Sequence, residues 1–198
     1  MDITLTKNDL NKALLITQSI VEKKTTMPIL ANVLLCATEK ELRVSATDFE
    51  VTAVQSVTAD VNSTGSTTVN ARVFGEIVRE LPEGNITLRL GKGERLEILA
   101  GKSVFKMVGV SAEEYPALPG IGTGTKTKIS SRQLMEMINK TIYAVSQDDT
   151  RFNLSGVCFE IISEGKKGPR ALRMVATDGH RLSMVTRPAE GLEFQGRV

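Results

Sequence analysis

Five groups of residues carry side chains that could do chemistry. Asp178, His180 and Ser183 supply the acid, imidazole and hydroxyl of an acyl-transfer triad. Such a triad works only if its members converge, with the base touching the nucleophile. Along one extended strand successive side chains alternate faces, so His180 and Ser183 would point apart and no catalytic set is expected. Asp148-Asp149 offers paired carboxylates for a divalent cation, but no third acid lies near in sequence. The run Gly120-Ile121-Gly122-Thr123-Gly124-Thr125-Lys126-Thr127 invites comparison with a phosphate-cradling loop. That loop needs glycine immediately before the lysine and a buried strand before the loop; Thr125 stands there instead. Gly101-Lys102-Ser103 has the lysine and hydroxyl, but Leu96 occupies the place of the required glycine; a hairpin turn is expected. Cys36 and Cys158 are the only cysteines and His180 the only histidine, which leaves a zinc ion almost no ligands. Both cysteines sit in apolar runs and read as small buried hydrophobes. No metal and no cofactor is expected.

The elements that must position these residues can be traced from the N-terminus. Met1 to Leu5 alternates as a strand. Thr6-Lys7-Asn8-Asp9 is a capping signal, a hydroxyl for a free amide and an acid three residues on. Leu10, Ala13, Leu14, Thr17, Ile20 and Val21 then recur at helical spacing, with Asn11, Lys12, Gln18 and Ser19 opposite. Ile29 to Ala37 is apolar nearly throughout, as in a strand covered on both faces. Leu42–Thr47 and Val51–Ala59 are rich in β-branched residues, and 62–66 reads as a loop. Asn70 caps a second helix with the stripe Val73, Phe74, Ile77, Val78 and Leu81, ended by Pro82 and Gly84. Three alternating runs follow up to Val110. The stretch 115–127, with two prolines and three glycines, reads as a linker between domains. Ser130 repeats the capping signal, and Leu134, Met137, Ile138, Thr141 and Val145 form a third helical stripe. Strands are expected near 156–162, 172–177 and 181–186.

These elements repeat. Leu10 corresponds to Leu134, Leu14 to Ile138, Leu30 to Leu154 and Val33 to Val157, each at an offset of 124. Thr47-Asp48 corresponds to Thr177-Asp178 at 130, the extra residues falling in a longer hairpin loop at 164–169. A constant offset that changes once, at a turn, is the mark of a duplicated unit. Each half-module has one amphipathic helix and a group of strands, and each sheet needs helices to cover one face. The fold class is α+β.

Bulk properties narrow the function. The 198 residues suffice for one large domain or two smaller ones, and 41% hydrophobic content is ordinary for a globular protein. A net charge of +2 argues against a DNA-binding domain that grips with a dense cationic patch, though not against one that holds DNA by topology. No stretch approaches a membrane span and no secretory signal opens the sequence; the expected location is the cytoplasm, with no membrane partner.

At several points the sequence resembles the bacterial DNA polymerase III β subunit family, the sliding clamps. The matching words are Pro28-Ile29-Leu30-Ala31-Asn32, Ala46-Thr47-Asp48, Ala71-Arg72, Leu81-Pro82-Glu83-Gly84, Leu154-Ser155-Gly156 and Ala176-Thr177-Asp178-Gly179-His180-Arg181-Leu182. Their order and spacing hold from Met1 to about Pro188. The resemblance implies a DNA-clamp fold: a first clamp domain at 1–118, a linker at 119–128, part of a second clamp domain at 129–198, and no third domain. A fragment of a longer clamp chain is expected, since the second unit stops well short of the first. The implied function is a non-enzymatic processivity factor, a head-to-tail homodimeric ring that tethers the replicative polymerase to duplex DNA without reading sequence.

Carried over residue by residue, the resemblance assigns Leu154, Thr177, Gly179, His180, Arg181 and Leu182 to a cleft for short linear peptides of the polymerase and clamp loader. It assigns Lys24, Arg72, Asp148, Phe152 and Asn153 to contact with DNA, although Asp148 cannot attract phosphate and Asn153 replaces an aromatic residue. It assigns Phe105 and Met107 to the edge that pairs with a second subunit. Two other readings remain open: a metal-dependent enzyme acting on nucleic acid through Asp48, Asp148, Asp178 and His180, and a peptide-binding adaptor that forms no ring.

Overall fold

The first capping signal behaves as its chemistry demands. In a computed structural model, which describes residues 1–21, 27–118, 128–148, 150–163 and 170–189, strand β1 (Asp2–Thr6) runs directly into helix α1 (Lys7–Gln18). The Thr6 hydroxyl accepts the Asp9 amide at 3.2 Å and donates to the Asp9 carboxylate at 2.7 Å. One of the four free amides of the helix start is thereby satisfied. Leu10, Ala13, Leu14 and Thr17 are buried, as the stripe predicts. The second helix repeats the device. Strand β6 (Gly65–Asn70) ends on Asn70, whose side chain accepts the Val73 amide at 3.0 Å, and α2 (Ala71–Glu80) follows.

The chain divides into two compact units, Met1–Gly120 and Ile121–Val198. In the first, β2 (Asn32–Ala37), β3 (Glu41–Thr47) and β4 (Thr52–Thr58) form an antiparallel meander, and β7 (Asn85–Leu90), β8 (Arg95–Ala100) and β9 (Ser103–Val108) form another. The short β5 (Asp60–Ser63) completes the set, giving the orders β5-β1-β7-β8-β9 and β4-β3-β2-β6. The two halves trade their opening strands: β1 pairs with β7, and β6 with β2. One core results, in which Leu10, Leu35, Leu42, Phe74, Leu88 and Ile98 are fully buried.

The second unit repeats the first half-module. Helix α3 (Ser131–Asn139) packs on the meander β10 (Cys158–Ser163), β11 (Arg170–Thr177) and β12 (Leu182–Pro188), around Met137, Leu172, Met174 and Val185. Even the register is copied. Leu34 faces Ser45 and Thr47 faces Thr52 in the first unit; Cys158 faces Val175 and Thr177 faces Leu182 in the second. These are the offsets of 124 and 130 found in the sequence.

Several local expectations are corrected. Pro28–Ala31 is a 3-10 turn rather than the start of a strand, and β2 alternates buried and half-buried residues, so only one of its faces is sealed. Cys36 falls on the outer face and is half-buried, as is Cys158, so neither thiol is a core residue. Residues 62–66 are not a loop, because β5 pairs with β1 and β6 begins at Gly65. Val73 is 46% exposed, its place on the inner stripe of α2 taken by Ala71 and Gly75. Ser130 precedes α3 but makes no side-chain cap. Gln18, expected on the outer face of α1, instead donates its amide to the Ala71 carbonyl at 2.5 Å. A Cβ at Gly75 would lie 1.9 Å from that amide nitrogen, so the glycine makes room for the contact between α1 and α2.

Tyr115, read as the start of the linker, belongs to the first unit. It is 6% exposed. Its hydroxyl accepts the Thr47 amide and donates to the Asn32 carbonyl, both at 3.3 Å. Burial raises the phenol above its usual pKa, so the proton needed for the second bond stays in place. Residues 119–127 of the linker expected at 119–128, and the loop at 164–169, lie outside the described residues. Gly101, with φ of 58°, makes the hairpin turn expected between β8 and β9.

Candidate functional site

The Thr-Asp word that repeats in the sequence is a turn that repeats in space. In the first unit, Asp48 accepts the amides of Glu50 at 2.9 Å and Val51 at 2.6 Å. The Thr47 hydroxyl accepts the Phe49 amide at 3.1 Å and donates to the Val51 carbonyl at 3.1 Å. In the second unit Asp178 accepts the amides of His180 and Arg181, both at 2.9 Å. The Thr177 hydroxyl accepts the Gly179 amide at 3.1 Å and donates to the Arg181 carbonyl at 2.7 Å. Short side-chain oxygens satisfy the turn amides, the usual role of Thr and Asp at such places. The third residue of the turn adopts a positive φ, 75° at Phe49 and 88° at Gly179. Only the second unit uses the residue type that tolerates it freely.

This geometry gives Asp178 and Ser183 structural partners. The second Asp178 oxygen takes the Arg181 guanidinium at 3.0 Å. The amides of Arg181 and His180, and then the Arg181 side chain, hold the Asp178 carboxyl at about 2. Ser183 donates to the Lys140 carbonyl at 2.5 Å and meets the Tyr143 hydroxyl at 3.1 Å. Asp178 and Ser183 are thus committed to structure, and no bond joins either to the His180 ring among the described residues. Nor do those residues contain a cluster of three or more acids, histidines or cysteines fit to hold a metal ion.

The turn lifts an exposed surface. Gly179, His180 and Arg181 are exposed, and Leu182 and Met184, on the face of β12 away from α3, are 64% and 57% exposed. The Arg181 guanidinium carbon lies 5.8 Å from the centroid of the Tyr143 ring, within reach of a cation–π contact. Tyr143 and Ile142, in a 3-10 turn after α3, are 58% and 54% exposed. Leu154, in the 3-10 turn Phe152–Leu154, is half-buried, and its carbonyl accepts the Ser146 amide at 2.9 Å. The arrangement offers apolar side chains beside a guanidinium and a histidine, without a nucleophile or a base–nucleophile pair.

Residues 1–119 match the family described as DNA polymerase III beta subunit, N-terminal domain, and residues 128–194 match its central domain. The chain belongs to this family. A beta sliding clamp of Caulobacter vibrioides is 37% identical over 96% of the chain and 51% of the relative. One from Chlamydia muridarum is 33% identical over 93% of the chain and 49% of the relative. Among solved structures, Caulobacter crescentus pol III beta superposes with a TM-score of 0.89 at 38% identity, over 96% of this chain and 52% of that one. The Pseudomonas aeruginosa DNA polymerase III subunit beta gives a TM-score of 0.87 at 33% identity, over 100% of this chain and 52% of that one. The chain therefore spans about half the length of the relatives it matches.

The remaining residues singled out by the resemblance to these β subunits are spread over both units. Lys24 lies outside the described residues. Arg72 is exposed at the start of α2 and paired with Glu76 at 2.9 Å, which raises the arginine further above its already high pKa. Asp148 accepts the Thr150 hydroxyl at 2.6 Å and amide at 3.0 Å, and these bonds hold its carboxyl below the usual range. It also pairs with Arg151 at 3.4 Å, so its charge is answered within its own loop. Phe152 is 75% exposed, and Asn153 is exposed beside it. Phe105 is 39% exposed on β9, the last strand of its sheet, with Val104 and Val108 more so. Met107, 8% exposed, belongs to the core. Sequence reasoning missed Tyr143, Arg151 and Met184. Strand alternation signals Met184, two residues beyond Leu182 on the same face; Tyr143 and Arg151 reach the turn only through the fold.

Proposed function

We propose that the protein works as a DNA sliding clamp, a ring-forming processivity factor that holds a replicative polymerase on duplex DNA and performs no catalysis itself. The carrying observation is the pair of β-subunit domain matches in family order, joined to a duplicated half-module of common register. The ring is a head-to-tail homodimer of chains longer than this one, acting in the cytoplasm. Its effect is topological, since a tethered polymerase meets its primer at a high effective concentration. Contacts of the DNA with Lys24, Arg72, Phe152, Asn153 and the Asp148 loop are few, salt-sensitive and blind to sequence. Such weakness suits sliding, because a firm grip would stall it.

The surface formed by Leu154, Thr177, Gly179, His180, Arg181 and Leu182 is one wall of a cleft for short peptides of polymerase and clamp-loader subunits. Leu154 and Leu182 receive an apolar peptide side chain, and Arg181 supplies donors and an apolar stem. Phe105, with Met107 behind it, marks the strand that meets a second subunit.

The test uses nicked circular DNA, clamp loader and the full-length subunit that contains this sequence. Gel filtration at moderate salt should show the subunit co-eluting with circular DNA and lost when the DNA is linearised. Retention that ignores linearisation, or DNA cleavage that follows the protein through purification, would refute the proposal. The 198-residue chain alone should not remain on the circle.

A further inference from the structure

Residues 146–148 and 150–154 are tied to one another by backbone bonds. The Ser146 amide donates to the Leu154 carbonyl at 2.9 Å, Arg151 to Asp148 at 2.9 Å, and Leu154 to Arg151 at 2.8 Å. One side chain ties this stretch to the Thr177–Leu182 turn among the described residues. Arg151 donates through Nη1 to the Asp178 carbonyl at 3.2 Å, while its Nε lies 3.4 Å from the Asp148 carboxylate. That carboxylate is fixed in turn by the Thr150 hydroxyl and amide. A line of bonds thus runs from Thr150 through Asp148 and Arg151 to the backbone of the turn. A planar guanidinium can serve both acceptors at once, which a lysine ammonium on its flexible stem does less well.

The repeat supplies the contrast. At the offset of 124, the position of Arg151 is held by Met27 in the first unit. The Asp48 turn there closes by the same bonds, yet it carries Phe49 where the second unit has Gly179. A Cβ built on Gly179 would stand 3.2 Å from Arg151 Nη1. The side chain that one unit tolerates and the other lacks is therefore the one that would press on the arginine. The first unit's turn is held instead at its shoulder by the Tyr115 hydroxyl, which accepts the Thr47 amide at 3.3 Å.

We infer that Arg151 is a positioning residue that braces the Thr177–Leu182 turn against Asp148 and the Phe152–Leu154 turn, and so holds Leu154 and Leu182 in a fixed relation. Its consequence for binding rests on the peptide-cleft reading above; its geometry does not. Asp148, whose hydrogen bonds and ion pair among the described residues stay within its own loop, acts on the turn through Arg151.

Two measurements on the full-length subunit test this. The first is fluorescence anisotropy with a fluorescein-labelled hexapeptide ending in Leu-Phe. Loss of a charge-assisted hydrogen bond predicts that Arg151→Gln weakens affinity about fivefold to tenfold. Asp148→Asn should weaken it about twofold, with Arg151→Lys between the two. An arginine that merely touches the peptide would leave Asp148→Asn without effect, and that result overturns the brace. The second is the proton NMR signal of His180, assigned in the full-length subunit by its loss in His180→Gln. Arg151→Gln and Asp148→Asn should both move it while urea midpoints stay unchanged. An unmoved signal in Arg151→Gln overturns the inference, whatever the affinities. A wild-type subunit that ignores the hexapeptide would sink the cleft reading, while the histidine signal would still decide the brace.

Discussion

Exchanging residue types between the two Thr-Asp turns should shift stability in opposite directions. Gly179 sits at φ of 88° and Phe49 at 75°, inside matching hydrogen-bond networks. A side chain in this left-handed region costs about 1–2 kcal/mol. Replacing glycine also stiffens the unfolded chain, which returns about 0.4–1 kcal/mol. For Gly179→Ala the difference is a loss of about 1 kcal/mol, increased by the 3.2 Å approach to Arg151. For Phe49→Gly the signs reverse, and because Phe49 is 61% exposed little burial is given up. A gain of about 0.5 kcal/mol is expected. The melting temperature should fall by roughly 2–4 °C in the first variant and rise by about 1–2 °C in the second. Since two units can unfold separately, amide hydrogen exchange on peptides spanning each turn should accompany the melts. A neutral Gly179→Ala, or a Phe49→Gly that loses more than about 1 kcal/mol, would refute the account of the turn.

Phe74→Ala should cost about 3–5 kcal/mol by urea denaturation, because the ring is fully buried in the core of the first unit. Tyr115→Phe should cost about 1–3 kcal/mol in the same assay, since it strands the buried Thr47 amide. Acid should destabilise the second unit in a defined window. Glu136, held by Lys140 and Arg187, and Asp178, held by the turn amides, both titrate at about 2 in the folded chain. Folded values below the unfolded ones stabilise above about pH 4, and the benefit is lost as pH falls toward 2. Melting curves from pH 5 to 2 should show this, with a shallower decline in Asp178→Asn. Arg181→Ala should weaken hexapeptide binding by the full-length subunit about tenfold while lowering the melting temperature by no more than about 2 °C. Unchanged affinity would remove Arg181 from the cleft.

Much of this fold is legible in the sequence because its signals are short-range. Thr6 and Asn70 announce their helices by capping chemistry, and the stripes of α1 and α3 follow from helical periodicity. The offset of 124 with its step to 130 survives in strand register because a duplicated meander cannot slip by one residue without turning its core outward. Contacts between elements distant in sequence are what remain hidden. Gln18 looks like an outer-face residue until Gly75 lets α2 come close. Tyr115 looks like linker until its hydroxyl is seen bridging Asn32 and Thr47. In the site, Thr177, Asp178 and Gly179 are readable as turn chemistry. Met184 follows from strand alternation with Leu182, whereas Arg151 and Tyr143 join that surface only because a loop and a 3-10 turn meet the strand there.

The Tyr115 bridge has a mechanical consequence. The last described stretch of the first unit does not leave from a loose end. It leaves from a phenol pinned to the second and third strands of one sheet, at the shoulder of the Asp48 turn. Tension on the segment beyond Leu118 is therefore borne across strands rather than along them, as a load on a rivet is borne by both plates.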